Sequence, residues 1–332
     1  MRSALAAFAA ALWLGACAAP SGPVERVTIP PRSSFSAVAD SMARHQVIWS
    51  RLWFKLVARI RGVDRSTKAG VYEFRRNTPA GVVLTALAEG RTATARLTVP
   101  EGLTIPEVAA IVAQRLDIPA DSFVRAATDP ALVKELGLTG ASLEGYLRPD
   151  TYAVPLGSSA QDVARTMVQN FQASWRPEWN ARLDTLHLTQ LELLALASIV
   201  EGEARADDER ETIAGVYRNR LRLHMALQAD PTVQYAILLA NGFRKPRLYQ
   251  KDYLLPSPYN TYLHPGLPPG PVNSPGRRSI EAALYPADVH FLYFVAGPDG
   301  RHVFSRTYDE HLRNVARMRK LANSQNSVKS EK

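Results

Sequence analysis

Only one cysteine occurs in the 332 residues, Cys17. A lone thiol can build neither an internal disulfide framework nor a cysteine metal cluster. Histidine is sparse as well: the seven residues are scattered and no H-E-x-x-H spacing occurs, so no metal ligand set is assigned and no cofactor is expected. No apolar run near the start is long enough to span a bilayer, because residues 4–14 fall short of the ~20 that a spanning helix needs. What is plentiful is positive charge, with 40 Lys and Arg against 31 Asp and Glu, or +9. Such an excess suits nucleic acid, an anionic membrane face or an anionic polymer. No Arg/Lys-rich recognition helix gathers it, so nucleic acid is not an expected partner. At 46% hydrophobic and 21% charged, the chain is globular and has room for two or three domains.

The short apolar run follows Arg2 and has the length of a signal h-region. It leads into Leu14-Gly15-Ala16-Cys17, which resembles a lipobox with Cys17 as the lipidated residue. The other reading is a short Ala-rich membrane helix in which Cys17 is a bystander. The shortness of the run and the single preceding charge favour the lipoprotein. Both readings put the rest of the chain outside the cytoplasm and attached to a membrane.

Self-comparison shows a repeat. Val27-Thr28-Ile29-Pro30 recurs as Leu97-Thr98-Val99-Pro100, and Phe35, Val38, Ala39 and Ile48 recur as Ile105, Val108, Ala109 and Ile118 with the same spacing. Each copy predicts a strand, a turn and an amphipathic helix. Between them, Lys68 to Phe74 predicts a turn into a strand, and Thr78 to Leu87 a helix stopped by Gly90. Further on, helices are expected from about Ala160 to Trp175, from Thr189, whose spacing to Glu192 is that of a capping box, and over Asp207 to Leu223 with a basic outer face. A β-hairpin is expected across Gly297-Pro298-Asp299-Gly300, and a polar, disordered tail beyond Leu321.

The helix opened by Thr189 is apolar nearly all round and ends in Val200-Glu201-Gly202-Glu203. Three, four and seven residues before Glu203 stand Val200, Ile199 and Leu196, an apolar bed; before Glu201 stand Ser198, Ala197 and Leu194. A carboxyl on an apolar bed loses hydration and its pKa rises, as a general acid in glycoside cleavage requires. The alternative is that both glutamates mark where a buried helix meets solvent, and the residues by themselves favour it. Two loops carry further polar groups: Gln228 and Asp230 in the first, Tyr259, Asn260, Thr261 and Tyr262 in the second. Amides, hydroxyls and aromatic faces on rigid loops hold sugars. Equally, they are the groups that satisfy backbone in an ordered Pro/Gly loop.

SIVEGEA, ERETIAGVYRNRL, LQADPTVQY, PYNTY, GLPPGPVNSPG and LYFVAGPDGRHVFS, in this order, resemble the MltG-type (YceG-like) endolytic murein transglycosylases. With KAGVYEF and LEGYLRPDTY the likeness covers residues 27–320. It implies an α+β chain: an N-terminal LysM-like strand–helix region, then a mixed α/β catalytic domain with a buried catalytic helix. The expected divisions are an anchor at residues 1–22, the LysM-like glycan-binding region at 23–100, a connecting subdomain at 101–158, the catalytic domain at 159–320 and the tail at 321–332. The likeness implies that Glu203, second of the E-x-E pair, is catalytic and Glu201 supporting. It also implies peptidoglycan glycan strands as substrate, and cleavage between N-acetylmuramic acid and N-acetylglucosamine that leaves 1,6-anhydro ends. Cooperation with the peptidoglycan-synthesising machinery on nascent strands is implied too, as is an inner-membrane anchor with the catalytic domain in the periplasm. Gly202 stands where the family commonly has Lys, and Arg148 where it has an aromatic, which puts substrate contact at that position in doubt. A water-using muramidase with Asp230 or Glu201 as second carboxylate, and a non-catalytic peptidoglycan-binding scaffold, are the competing classes.

Overall fold

The structure is a computed structural model that describes residues 22–330, with side chains as far as Asn323. The lipobox reading of Cys17 lies outside the described residues. Thirteen α-helices and three two-stranded sheets make up the described chain. The described chain divides into two compact units, one of residues 22–97 with 152–159, the other of 98–151 with 160–330.

In the first unit, β1 (Val24–Ile29) and β2 (Gly70–Arg75) pair antiparallel, from Val24 opposite Arg75 to Ile29 opposite Gly70. Between them lie α1 (Phe35–Arg44) and α2 (Arg51–Arg61), and α3 (Ala80–Glu89) follows. Ser34 and Ser50 cap the first two helices, their hydroxyls accepting from Ala37 N and Trp53 N. Gly62 and Gly90 end α2 and α3 in the left-handed conformation that glycine adopts without a Cβ penalty. Val27, Ile29, Met42, Phe54, Tyr72, Leu84 and Leu87 meet in one core.

The 70-residue repeat is kept by the elements themselves. β3 (Thr94–Val99) and α4 (Ile105–Leu116) start 70 residues after β1 and α1, and both strands bury alternate residues, Val27 and Ile29 in one, Leu97 and Val99 in the other. The second copy is capped by Thr104, whose partner Glu107 reaches back to the Thr104 backbone and hydroxyl at 2.8 Å. β3 pairs with β4 (Asp150–Pro155) after α5 (Ala120–Ala127) and α6 (Pro130–Glu135).

The second unit continues with α7 (Ala160–Ser174), α8 (Pro177–Leu186), α9 (Gln190–Glu203), α10 (Arg210–Arg222), α11 (Asp230–Asn241), α12 (Arg277–Leu284), β5 (Tyr293–Ala296), β6 (His302–Ser305) and α13 (Tyr308–Ser330). Expectation and structure part in two places. Residues 101–158 are no subdomain of their own: α5 packs on α4 and α7 within the second unit, while Tyr152 onward belongs to the first. On α10, Arg218 is half-buried and Arg222 exposed, while Arg210, Asn219 and Arg220 are buried. The tail is helical to Ser330 rather than disordered, and no Gly or Pro after Gly300 breaks it.

Candidate active site

Helix α9, which ends in Glu201 and Glu203, is anchored along its whole length. Its start is closed by the reciprocal bonds of Thr189 and Glu192. From Leu193 to Val200 every residue is buried, each leucine contributing ~1.5–3 kcal/mol. Its last turns are pinned by the loop before α12. Val272 N donates to Ser198 Oγ at 3.0 Å, and Asn273 Nδ2 donates to Ser198 O at 2.8 Å. Glu201 and Glu203 then point about 200° apart at ~100° per residue.

Glu201 faces the protein. Its Oε2 accepts from Gly276 N at 2.9 Å and from Ser279 Oγ at 2.8 Å, at the start of α12, and Arg210 lies 3.5 Å from its Oε1. Its side chain is 8% exposed and its oxygens are occupied by structural partners.

Glu203 faces a cleft of about 400 Å³. Only Tyr217 donates to it among the side chains, hydroxyl to Oε1 at 3.2 Å. Desolvation, then the negative charge of Asp230, push its pKa from 4.5 up to about 7, against the Tyr217 bond that pulls it down. Burial holds the Tyr217 phenol well above its ordinary pKa, so it remains a neutral donor. The Tyr217 ring is fixed edge-on against Phe294 of the β5–β6 hairpin, centroids 5.8 Å apart.

Gln228, Asp230 and Tyr262 line the same cleft. Asp230 opens α11, and its Oδ1 accepts from the Tyr262 hydroxyl at 2.7 Å. Gln228 is exposed between buried Leu227 and Ala229, and its backbone has φ +51°, unusual for a residue with a side chain. The other three expected sugar-binding residues do not line the cleft. Asn260 is fully buried: its amide donates to Tyr253 O and Leu255 O, and its Oδ1 accepts from Tyr262 N at 3.0 Å. Thr261 is buried against α11, its hydroxyl 2.9 Å from that of Thr232 and accepting from Ala229 N. Tyr259 packs on Tyr235, ring centroids 4.9 Å apart. These three shape the loop that presents Tyr262. Arg148 is not a lining residue either; its guanidinium donates to the Asn170 side chain at 2.7 Å on α7.

Gly202 has a reason of its own. A Cβ there would meet Pro231 Cγ at 2.6 Å, so the absence of a side chain lets the end of α9 close on the start of α11.

Sequence reasoning did not single out Tyr217, Arg205, Arg220, Gln234, His302 and His311, which also line the cleft. Arg220 clamps its wall: Nε donates to Leu292 O and Nη1 to Leu227 O, both at 2.7 Å. Glu209 fixes the hairpin, bonding His302 N at 3.0 Å and Nδ1 at 2.8 Å. The one signal available was the presence of Tyr217 and Arg220 inside GVYRNRL, of Gln234 inside LQADPTVQY and of His302 inside GRHVFS; Arg205 and His311 lie in none of these motifs. Among the described residues, no group of three or more His, Cys, Asp or Glu could hold a metal ion.

One carboxyl protonated near neutral pH, opposed by a charged carboxylate in a polar cleft, defines a general acid/base site of the type that cleaves glycosidic bonds. The YceG-like family model matches residues 27–317, and the chain belongs to that family. It is 32% identical over 304 residues to the endolytic murein transglycosylase of Bacillus subtilis (strain 168), covering 86% of this chain and 82% of that protein. It is 30% identical over 318 residues to the endolytic murein transglycosylase of Streptococcus pneumoniae serotype 2 (strain D39 / NCTC 7466), with 87% of this chain but 57% of that longer protein covered. A crystal structure of a yceG-like protein from Listeria monocytogenes superposes with a TM-score of 0.61 at 31% identity, covering 88% of this chain and 99% of that one.

Proposed function

We propose that this protein is an endolytic murein transglycosylase that cuts peptidoglycan glycan strands between N-acetylmuramic acid and N-acetylglucosamine, with Glu203 as acid and then base. The observation that carries the reading is the division of labour on the last turn of α9. Glu203 lies in the cleft with its pKa near 7, while Glu201 is engaged by Gly276, Ser279 and Arg210. Protonated Glu203 gives its proton to the bridging oxygen as the glycosidic bond breaks. The carboxylate so formed takes the proton of the muramic 6-hydroxyl, which closes on its own anomeric carbon. The product is a 1,6-anhydro end and no water is consumed. Because the nucleophile belongs to the sugar, proximity replaces a nucleophile from the protein. Asp230 has a part that does not need bond formation: its charge favours the proton on Glu203 before reaction and stabilises the positive charge that develops at the anomeric carbon during it. No cofactor enters this scheme.

The strand–helix–helix–strand order of the first unit, with its antiparallel sheet, supports reading that region as LysM-like and glycan-binding. The substrate class and the apolar leader support a membrane-anchored protein of the cell envelope, working from the inner membrane into the periplasm. There it would trim nascent strands beside the synthesising machinery.

A second reading, a muramidase using water, rests on Asp230, which faces the cleft that holds Glu203. Mass analysis of muropeptides released from purified sacculi separates the two. Anhydro ends, lost in Glu203→Gln, support the transglycosylase; reducing ends, heavier by one water, would replace it with the hydrolase.

A further inference from the structure

Helix α2 has three faces. Phe54 and Ala58 are buried in the core of the first unit. Lys55 and Arg59 occupy a second arc, continued by Arg51. The third arc is apolar and open: Leu52 is 81% exposed, Leu56 50% and Ile60 74%, in successive turns, with Trp53 beside them at 43% and Trp49 just before the helix at 71%. At ~100° per residue the four helical members fall within an arc of about 100°, immediately next to the basic arc. Isolated exposed apolar residues are ordinary, whereas a contiguous stripe of five marks an interaction surface.

Charge selects the occupant. No acidic residue occurs on α2, and among the described residues the one carboxylate paired with its basic arc is Asp40 of α1, 2.7 Å from Arg51. Residues 22–97 contain 13 Lys and Arg against five Asp and Glu, so that +8 of the chain's +9 lies in this stretch. Leu52, Leu56 and Ile60, the aliphatic part of the stripe, offer a saccharide neither hydrogen bonds nor a ring to stack on. Acyl chains accept them, and tryptophan favours the level of lipid headgroups. Nearby Lys and Arg meet the phosphates of anionic lipids at ~1 kcal/mol each near the surface.

We propose that α2 is a membrane-docking helix, seating Trp49, Leu52, Trp53, Leu56 and Ile60 in the interface of an anionic bilayer with Arg51, Lys55 and Arg59 against its headgroups. This contact is separate from any anchor in residues 1–21, and it would lay the first unit on the bilayer surface.

The test uses the full chain reconstituted in vesicles that carry bromine on the acyl chains, which quenches tryptophan at short range. The signal is the quenching of the wild type minus that of Trp49→Ser/Trp53→Ser, a difference that removes the other tryptophans, including Trp13 in the leader. In vesicles with about a third phosphatidylglycerol the difference is expected to be large, and to fall at least about twofold in phosphatidylcholine alone or in molar salt. Leu52→Ser/Leu56→Ser/Ile60→Ser, with unchanged circular dichroism, is expected to lose about half of it or more. Equal quenching in the wild type and the double tryptophan variant in phosphatidylglycerol vesicles would overturn the proposal. So would a Trp49/Trp53 signal that responds to purified glycan strands and not to lipid, which would make the stripe a sugar-binding face.

Discussion

Glu203 has a donor on one side and a negative charge nearby, and the two neighbours push its pKa in opposite directions. That makes its titration a test of the whole site. With a folded pKa of about 7 instead of 4.5, the protonated fraction at neutral pH is larger by about 10²-fold. The acid form is the one that starts the reaction, so kcat/KM should hold at low pH and fall as pH rises through about 7. Tyr217→Phe removes the hydroxyl that bonds the carboxylate at 3.2 Å and keeps the ring against Phe294. A hydrogen bond to a charged group is worth about 1.5 kcal/mol at the low end that a 3.2 Å separation suits, so the descending limb should move up by roughly one pH unit. Asp230→Asn removes the charge that opposes ionisation, and the limb should move down by about one unit or less. The assay is the initial rate of anhydro-end formation from purified glycan strands between pH 5 and about 9, followed by mass spectrometry. Shifts of the same sign in the two variants, or a limb that neither variant moves, would show that Glu203 is not the titrating acid.

The same pKa has a consequence for stability. Ionising Glu203 is harder in the folded chain than in the unfolded one, so wild type carries no cost below pH 4.5 and the full cost above about 7. Glu203→Gln should therefore be inactive, equal to wild type in melting temperature near pH 4.5, and more stable at pH 8 by about 1–2 kcal/mol once solvent screening of this half-buried group is allowed for. Gly202→Ala should lose activity more than tenfold, because its Cβ would displace Pro231 and with it Asp230; unchanged kinetics would mean that the start of α11 gives way freely. Asn260→Ala leaves two buried carbonyls and one amide without their partner and should cost about 2–4 kcal/mol in urea unfolding. Gln228→Ala, at an exposed position, should leave the unfolding midpoint in place and weaken activity, and the reverse ranking of these two variants would return Asn260 to the list of substrate contacts.

Features set by local pattern were legible. The capping box of Thr189 and Glu192, the buried run behind it, the repeat of β1–α1 in β3–α4 and the β5–β6 hairpin depend on residues within a few positions of each other. For Glu203 and Glu201, helical spacing fixes which neighbours each carboxyl lies over, but by themselves the residues favoured a helix end meeting solvent, and the distinction rested on the resemblance. Features set by distant pairing were not. Tyr217 meets Glu203 only because α10 folds back beside α9, and His302 meets Glu209 across 93 residues. Asn260 and Thr261 have side chains suited equally to a sugar and to a backbone carbonyl, and nothing local says which they find. The division between the units was hidden because β4 is split between them: Tyr152 belongs with the first unit and Thr151 with the second.

The meeting of α9 and α11 has an electrical side. Glu203 is the last residue of one helix and Asp230 the first of the next. The unpaired carbonyls at a helix end carry about half a negative charge, and the unpaired amides at a helix start about half a positive one. The carbonyl end of α9 therefore holds a proton on Glu203 more firmly than the side chain would alone. The step Gly202 allows, bringing the two helix ends together, sets that polarity before any substrate arrives.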